Sequence, residues 1–395
     1  MPRPARAVAL ACVLLLLLLP AATPQPAPHA ALDLDRGATG LGLALRRLGV
    51  TARVLYVTAH PDDEHNGVLV RLSRGLGVRT ALLTVTRGEG GQNAIGPELF
   101  AALGVLRTAE LDSMHRYDGV EQYFGRAYEF GYSFSVEETF AKWGREETLG
   151  DVVRVVRAFR PDVILTLPLS GPGGGQHHEA VGQLARDAFR ASADPGRFPD
   201  QIRQGLRPWQ ARKIYVGGIG GSAGGAGGAP VRVETGVYDA LLGQTWQQLG
   251  SRARALQRCQ GARQLVAAPG PADGVYTILD AEPPLRGGAP ETDILDGIDT
   301  SVTGLARFAP ETPLLSGELA EVQARLEAAR SAFDATTLEH SSLPVATALT
   351  AVRSLEARLG ALVADSAARA EIADRLHDQE ADAETALARS RGLLV

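Results

Sequence analysis

Apolar and polar positions along this chain follow two periods in turn. RVLYVTA (53–59), TALLTVT (80–86), DVILTLPL (162–169) and KIYVGGI (213–219) are short, nearly unbroken apolar runs. Such runs predict strands buried on both faces. The segments between them carry apolar residues at spacings of three and four. Residues 66–75 put Val68, Leu69 and Leu72 on one side, and 97–117 repeats through Leu99, Leu103, Leu106, Glu110 and Met114. In 147–159 the residues Val152, Val155, Val156 and Phe159 face inward, Pro161 stops the helix, and another helix opens over 178–191. This alternation predicts an α/β fold, a mostly parallel sheet with helices on both faces.

The pattern changes after residue 217. Residues 217–228 are rich in Gly and Ala and predict a mobile loop. TGVYDALLGQTWQQLGSRARALQRCQG (235–261) predicts a long helix, and the Pro- and Gly-rich stretch 265–312 holds one expected strand at VYTIL. Beyond residue 315, Leu319, Val322, Leu326, Ala329 and Phe333 recur at three and four. Leu349, Val352, Leu355 and Leu359 do the same, as do Ile372, Leu376, Ala383 and Leu387 with a gap. They predict a C-terminal helical bundle that packs as a unit of its own. The apolar ending GLLV fits a fragment of a longer protein. The expected organisation is a leader over 1–27, an α/β domain over 45–312, and a bundle, or a fragment of a further region, over 315–395.

The leader reads as an export signal. Arg3 and Arg6 precede an apolar run, Ala7 to Leu19, that is too short to span a bilayer, and small residues follow Pro20. A secreted, periplasmic or cell-envelope location is expected, with membrane contact only through this segment if it stays uncleaved. Cleavage removes Arg3 and Arg6 and takes the net charge from −5 to −7, so no nucleic-acid partner is expected. It also removes Cys12 and leaves Cys259 alone, which excludes an internal disulfide.

Chemistry concentrates where strands end. VTAHPDDEHNG (57–67) follows the first strand, and SGPGGGQHHEAVG (170–182) follows the third. In parallel α/β sheets ligands bind beyond the carboxyl ends of strands. A His and a carboxylate three apart can ligate one zinc ion, and a catalytic zinc takes three protein ligands and keeps an open position. His60, Asp63 and His178 supply that set, and Asp62 remains to take a proton from water. Each motif alone also fits a solvated turn or a helix start. A metal phosphoesterase would favour two bridged metals, and these ligands suffice for one.

AHPDDE, TRGEGGQN, LRTAEL and HHEAVG, each in its place after a strand or on a helix, resemble the PIG-L/LmbE family. DGIDTSVTGL (296–305) resembles its larger secreted or periplasmic branch. The resemblance implies a Rossmann-like fold and zinc-dependent hydrolysis of the N-acetyl amide of an N-acetylglucosamine-type compound, with an amino-sugar conjugate or glycan as partner. It implies Zn2+ held by His60, Asp63 and His178, with Asp62 as general base. Two positions depart from the family pattern: Gly175 stands where the first His of the second motif is expected, and Gln257 where another His is expected. His177 is then the expected proton donor, with His65 or a water behind it. The alternative is a secreted sugar-binding protein with a bound metal and little turnover.

The Gly-rich second loop carries Arg87, Glu89, Gln92 and Asn93, expected to position substrate hydroxyls. The competing reading of Arg87 and Glu89 is a local ion pair bracing the loop. Arg107 and Glu110 could pair to prop the same loop. Trp143, Tyr123 and Tyr132 suit either sugar stacking or core packing.

Overall fold

The computed structural model describes residues 33–169, 175–218, 229–261, 265–285 and 290–393. The expected export signal and most of the expected mobile loop lie outside these residues. The elements, in chain order, are α1 (Gly37–Arg47), β1 (Arg53–Thr58), α2 (Asn66–Val70), β2 (Arg79–Thr84), α3 (Ala101–Asp118), β3 (Glu121–Phe124), α4 (Val136–Trp143), α5 (Arg145–Phe159), β4 (Val163–Thr166), α6 (His177–Ala191), β5 (Lys213–Gly218), β6 (Pro230–Glu234), α7 (Trp246–Arg254), β7 (Asp273–Ala281), α8 (Pro313–Ser331), α9 (Ser342–Leu362) and α10 (Ser366–Ser390).

The sheet runs β3-β2-β1-β4-β5-β7-β6. The first five strands are parallel, while β7 pairs antiparallel with both β5 and β6. Every residue of β1 is buried, and its side chains divide by the period of two. Leu55 and Val57 join one core with Val152, Val156, Leu184 and Phe189. Val54 and Tyr56 join the core on the other face with Leu69, Leu72, Leu111 and Met114. Helices therefore cover both faces, as the apolar runs predict.

Two expectations differ from the structure. Residues 235–261 are not one helix. A hairpin pairs Tyr238–Asp239 with Gln244–Thr245, and α7 follows over only nine residues. Gly243 at φ +67° turns the hairpin, and Asp239 accepts from the amides of Leu241 and Leu242. The Thr245–Gln248 capping box then fixes where α7 begins.

The C-terminal helices also do not pack alone. Residues from Asp33 onward form one compact unit. Leu41, Ala44, Leu45 and Leu48, on or just after α1, bury themselves among Leu319, Leu326, Leu355 and Leu376, so an N-terminal helix completes the bundle. Polar contacts clamp α10 to the amino ends of the strands. Arg375 reaches Asp162 (2.8 Å) and the Arg160 carbonyl (3.0 Å), and Arg53 reaches Asp374 (2.9 Å) and Asp378 (2.5 Å).

Candidate metal centre

The HPDDE segment leaves the carboxyl end of β1 as a tight turn wrapped around its own carboxylates. Asp63 Oδ2 accepts from the amides of Ala59 (3.1 Å) and His60 (2.8 Å). Glu64, fully buried, accepts from the Asp62 amide (3.0 Å), Asn66 Nδ2 (3.2 Å) and Gln257 Nε2 (2.7 Å). Gln257 thus props the turn from below. Asp62 itself sits at φ +105°, in a region that costs a non-glycine residue about 1–3 kcal/mol.

His60, Asp63 and His178 converge. Asp63 Oδ1 is 3.0 Å from His178 Nε2, Asp63 Oδ2 is 3.4 Å from His60 Nδ1, and the two imidazole nitrogens are 3.2 Å apart. Burial opposes ionisation of Asp63, but His178 and His60 outweigh it and hold its carboxyl well below the usual range. Two imidazoles and an ionised carboxylate with their ligand atoms within 4.8 Å of one another suit a tetrahedral zinc, so the residues present fit that ion. A second grouping shares His60 and adds His177 and Glu129.

The triad lines a cavity of about 470 Å³ at the carboxyl edge of the sheet. Asp62 lines it too. Burial, then the neighbouring Asp63, pushes the Asp62 carboxyl up to about 7 against the pull of Arg107. Arg107 is almost fully buried. It donates to the Pro61 carbonyl (2.5 Å) and the Gly88 carbonyl (3.2 Å) and lies 3.4 Å from Asp62 Oδ1. Arg254 donates to the Asp62 carbonyl at 2.6 Å. Gln260, in the amide orientation that satisfies its neighbours, donates to Asp62 Oδ2 (3.1 Å) and accepts from Arg107. Arg107 therefore props the loop without Glu110, which instead accepts from the Cys259 amide (2.9 Å). The glycines of the second loop make room for it: a Cβ on Gly88 would lie 2.2 Å from Arg107 Nη1.

His177 differs from its expected part as proton donor. It is 1% exposed, between Trp143 (centroids 4.8 Å) and Phe130 (4.5 Å), with Nδ1 3.0 Å from His60 Nε2 and no partner at Nε2 among the described residues. Burial, then His60 and His178, pushes its pKa down to about 3. His177 borders the same cavity, but a neutral ring packed against His60 is suited to orienting that residue rather than to donating a proton. His65 is also buried, and its Nδ1 accepts from the Val68 amide (3.3 Å) at the start of α2.

Of the four residues expected to bind substrate, Gln92 alone lines the cavity. Arg87 donates to Thr108 Oγ1 (2.9 Å) and lies over the Phe124 ring. Glu89 accepts from the amides of Arg87 and Glu129, both at 3.1 Å, and is not ion-paired with Arg87. Asn93 closes its own turn onto Gly96 and Glu98. Their polar groups brace loops. Sequence reading missed Glu129 and Gln260 at the cavity, because the segments that carry them have no motif. Trp143 is core, Tyr123 is half-buried against Phe159, and Tyr132 faces the cavity.

A carboxylate–imidazole triad at the strand ends of a mostly parallel α/β sheet, with a spare carboxylate beside it, defines an α/β protein with a candidate metal centre. Comparison with known proteins narrows this: residues 55–189 match the PIG-L family model, described as GlcNAc-PI de-N-acetylase. It is 32% identical over 200 residues to a 1D-myo-inositol 2-acetamido-2-deoxy-alpha-D-glucopyranoside deacetylase of Streptomyces scabiei (strain 87.22), covering 46% of this chain and 60% of that protein. A protein of the same description from Geodermatophilus obscurus is 33% identical over 180 residues, covering 41% and 60%. The chain thus spans less than two thirds of the length of these relatives. Among solved structures, the N,N'-diacetylchitobiose deacetylase from Pyrococcus horikoshii aligns at 20% identity and a TM-score of 0.41, over 53% of this chain and 70% of that one.

Proposed function

We propose that this protein is a zinc-dependent deacetylase that hydrolyses the N-acetyl amide of an amino-sugar conjugate, releasing acetate and a free amine. The observation that carries this reading is the convergence of His60, Asp63 and His178 beside an Asp62 that ligates nothing in that set. The match of residues 55–189 to the PIG-L model and the names of the relatives support the same activity.

His60, Asp63 and His178 would hold the ion. When bound, zinc supplies a Lewis acid for an amide carbonyl and lowers the pKa of a water. Asp62 would take the proton of the attacking water on its carboxylate; Arg107 and Gln260 hold that side chain in place, and Arg254 holds its backbone carbonyl. A carboxyl held near neutrality by burial is matched to accepting a proton and then returning it to the departing amine. That route needs no imidazole at position 175 or 177. His177 would accept from His60 Nε2–H and so leave His60 Nδ1 facing Asp63 and His178.

The test has two arms. Purified protein should carry about one zinc, and His178→Ala should remove most of it. Asp62→Asn should keep the zinc and lose amine release from N-acetylglucosaminides by about a hundredfold or more. Zinc-loaded wild type that releases no amine from any such substrate would overturn the reading in favour of a binding protein. Loss of zinc in Asp62→Asn would make Asp62 a ligand. The export reading of residues 1–27 also stands as a proposal, and N-terminal sequencing of secreted protein tests it.

A further inference from the structure

We propose that the rim of the cavity is a subsite for an apolar aglycone, so that the preferred substrate is an amino sugar bearing an aryl or alkyl group. This rests on the amino-sugar reading above. The interior of the cavity is polar, with Gln92, Arg107, Glu129 and Gln260 among its walls. Glu129 is 4% exposed, and its Oε2 has no partner among the described residues, which suits a sugar hydroxyl. The character changes going outward. Tyr132 lines the cavity while 64% exposed, and Phe134 packs edge-to-face on it at 4.9 Å while 81% exposed.

These rings are not exposed because their loop frays. The Phe134 amide donates to Glu138 (3.0 Å), Ser133 Oγ bonds Thr139 Oγ1 (2.7 Å), and the Ser133 carbonyl accepts from the Gln176 amide (3.1 Å). The last contact ties the aromatic pair to the start of α6, two residues from His178. The second loop, which brings Gln92 to the cavity, continues into Ile95, Leu99 and Phe100, all more than half exposed. Anchored apolar surface continuous with a polar pocket marks a ligand site.

Position 175 points the same way. Gly175 is at φ +86°, and a Cβ there would lie 3.6 Å from Tyr132 Cδ2 and 3.3 Å from the Ser133 carbonyl oxygen. The place where the family pattern has an imidazole is thus bordered by the Tyr132 ring. Phe134 presents a ring without a polar atom; an aryl or alkyl group covers it and leaves no hydroxyl unsatisfied, whereas a further sugar stacked on the same face would gain no hydrogen bond from it.

Isothermal titration of zinc-loaded Asp62→Asn protein, which binds without turnover, compares phenyl N-acetylglucosaminide with free N-acetylglucosamine. The phenyl glycoside should bind roughly tenfold tighter, the effect of covering one ring face. Tyr132→Ala and Phe134→Ala, each in that background, should bring the two affinities to within about twofold. Equal affinities without these changes, or a preference that survives both, would overturn the subsite. So would indifference to the phenyl group together with Phe134-dependent binding to phosphatidylcholine vesicles, which would make the rim a membrane contact. If the preference holds while wild type releases no amine, the subsite stands and the deacetylase reading fails.

Discussion

Replacing Asp162 by Asn should destabilise the protein by several kcal/mol and leave the candidate metal centre untouched. Asp162 lies just before β4, at the end of the sheet opposite the triad, and is 1% exposed. Its Oδ1 is 2.6 Å from Arg307 Nη2, and its Oδ2 is 2.8 Å from Arg375 Nη1 and 2.9 Å from the Arg53 amide. Burial raises the carboxyl, but Arg375 and Arg307 outweigh it and hold it at about 2. Against the ordinary 3.8, that depression is worth about 2.5 kcal/mol at neutral pH. The amide also takes one of two carboxylate partners from Arg375, which is 2% exposed and keeps Glu371 (3.1 Å), so about 3–5 kcal/mol is the expected loss. For a compact body of about 360 residues, with roughly 0.8 kcal/mol/K of unfolding entropy, Tm should fall by about 4–7 °C. Because the folded pKa is the lower one, this contribution is complete above about pH 4 and is lost as pH falls towards 2. Denaturant titrations of both proteins from pH 7 to pH 2.5 should therefore converge at the acid end. Zinc content and amine release at 25 °C should match wild type. A Tm within 1 °C of wild type, or a difference that does not shrink in acid, would refute the role given to this clamp.

Gly88→Ala should drive Arg107 off Pro61 and Asp62, since the new Cβ meets Nη1 and the backbone sits at φ +71°. About 1–2 kcal/mol of stability from the backbone alone and roughly tenfold in kcat should be lost with zinc retained, read by melting, kinetics and metal analysis. Asp62→Gly should do the opposite to stability: relief of φ +105° should raise the unfolding free energy by about 1 kcal/mol while amine release disappears, and a drop in Tm would show that Asp62 is not strained.

The convergence of His60, Asp63 and His178 was legible in the sequence because each lies where a buried parallel strand ends. A strand end fixes where His60 and Asp63 emerge, and the helix that follows β4, the sheet neighbour of β1, brings the His177–His178 pair to the same edge. The parallel strands were legible for a similar reason: a run such as VLYV can only be buried on both sides. Tertiary structure alone decided the rest. His177 and His178 are neighbours, but successive residues at a helix start point about 100° apart, so one ring sinks under His60 and the other meets Asp63. Spacing cannot say which. Tyr132 and Trp143 belong to the same aromatic vocabulary, yet one faces the cavity and the other is core, because only the packing of α4 and α6 sets what remains uncovered. Helix α1, with Gly37, Gly40 and Gly42, has poor intrinsic propensity and no side-chain cap. It forms because Leu41, Ala44 and Leu45 find the C-terminal helices some 300 residues away, a contact that no local pattern encodes.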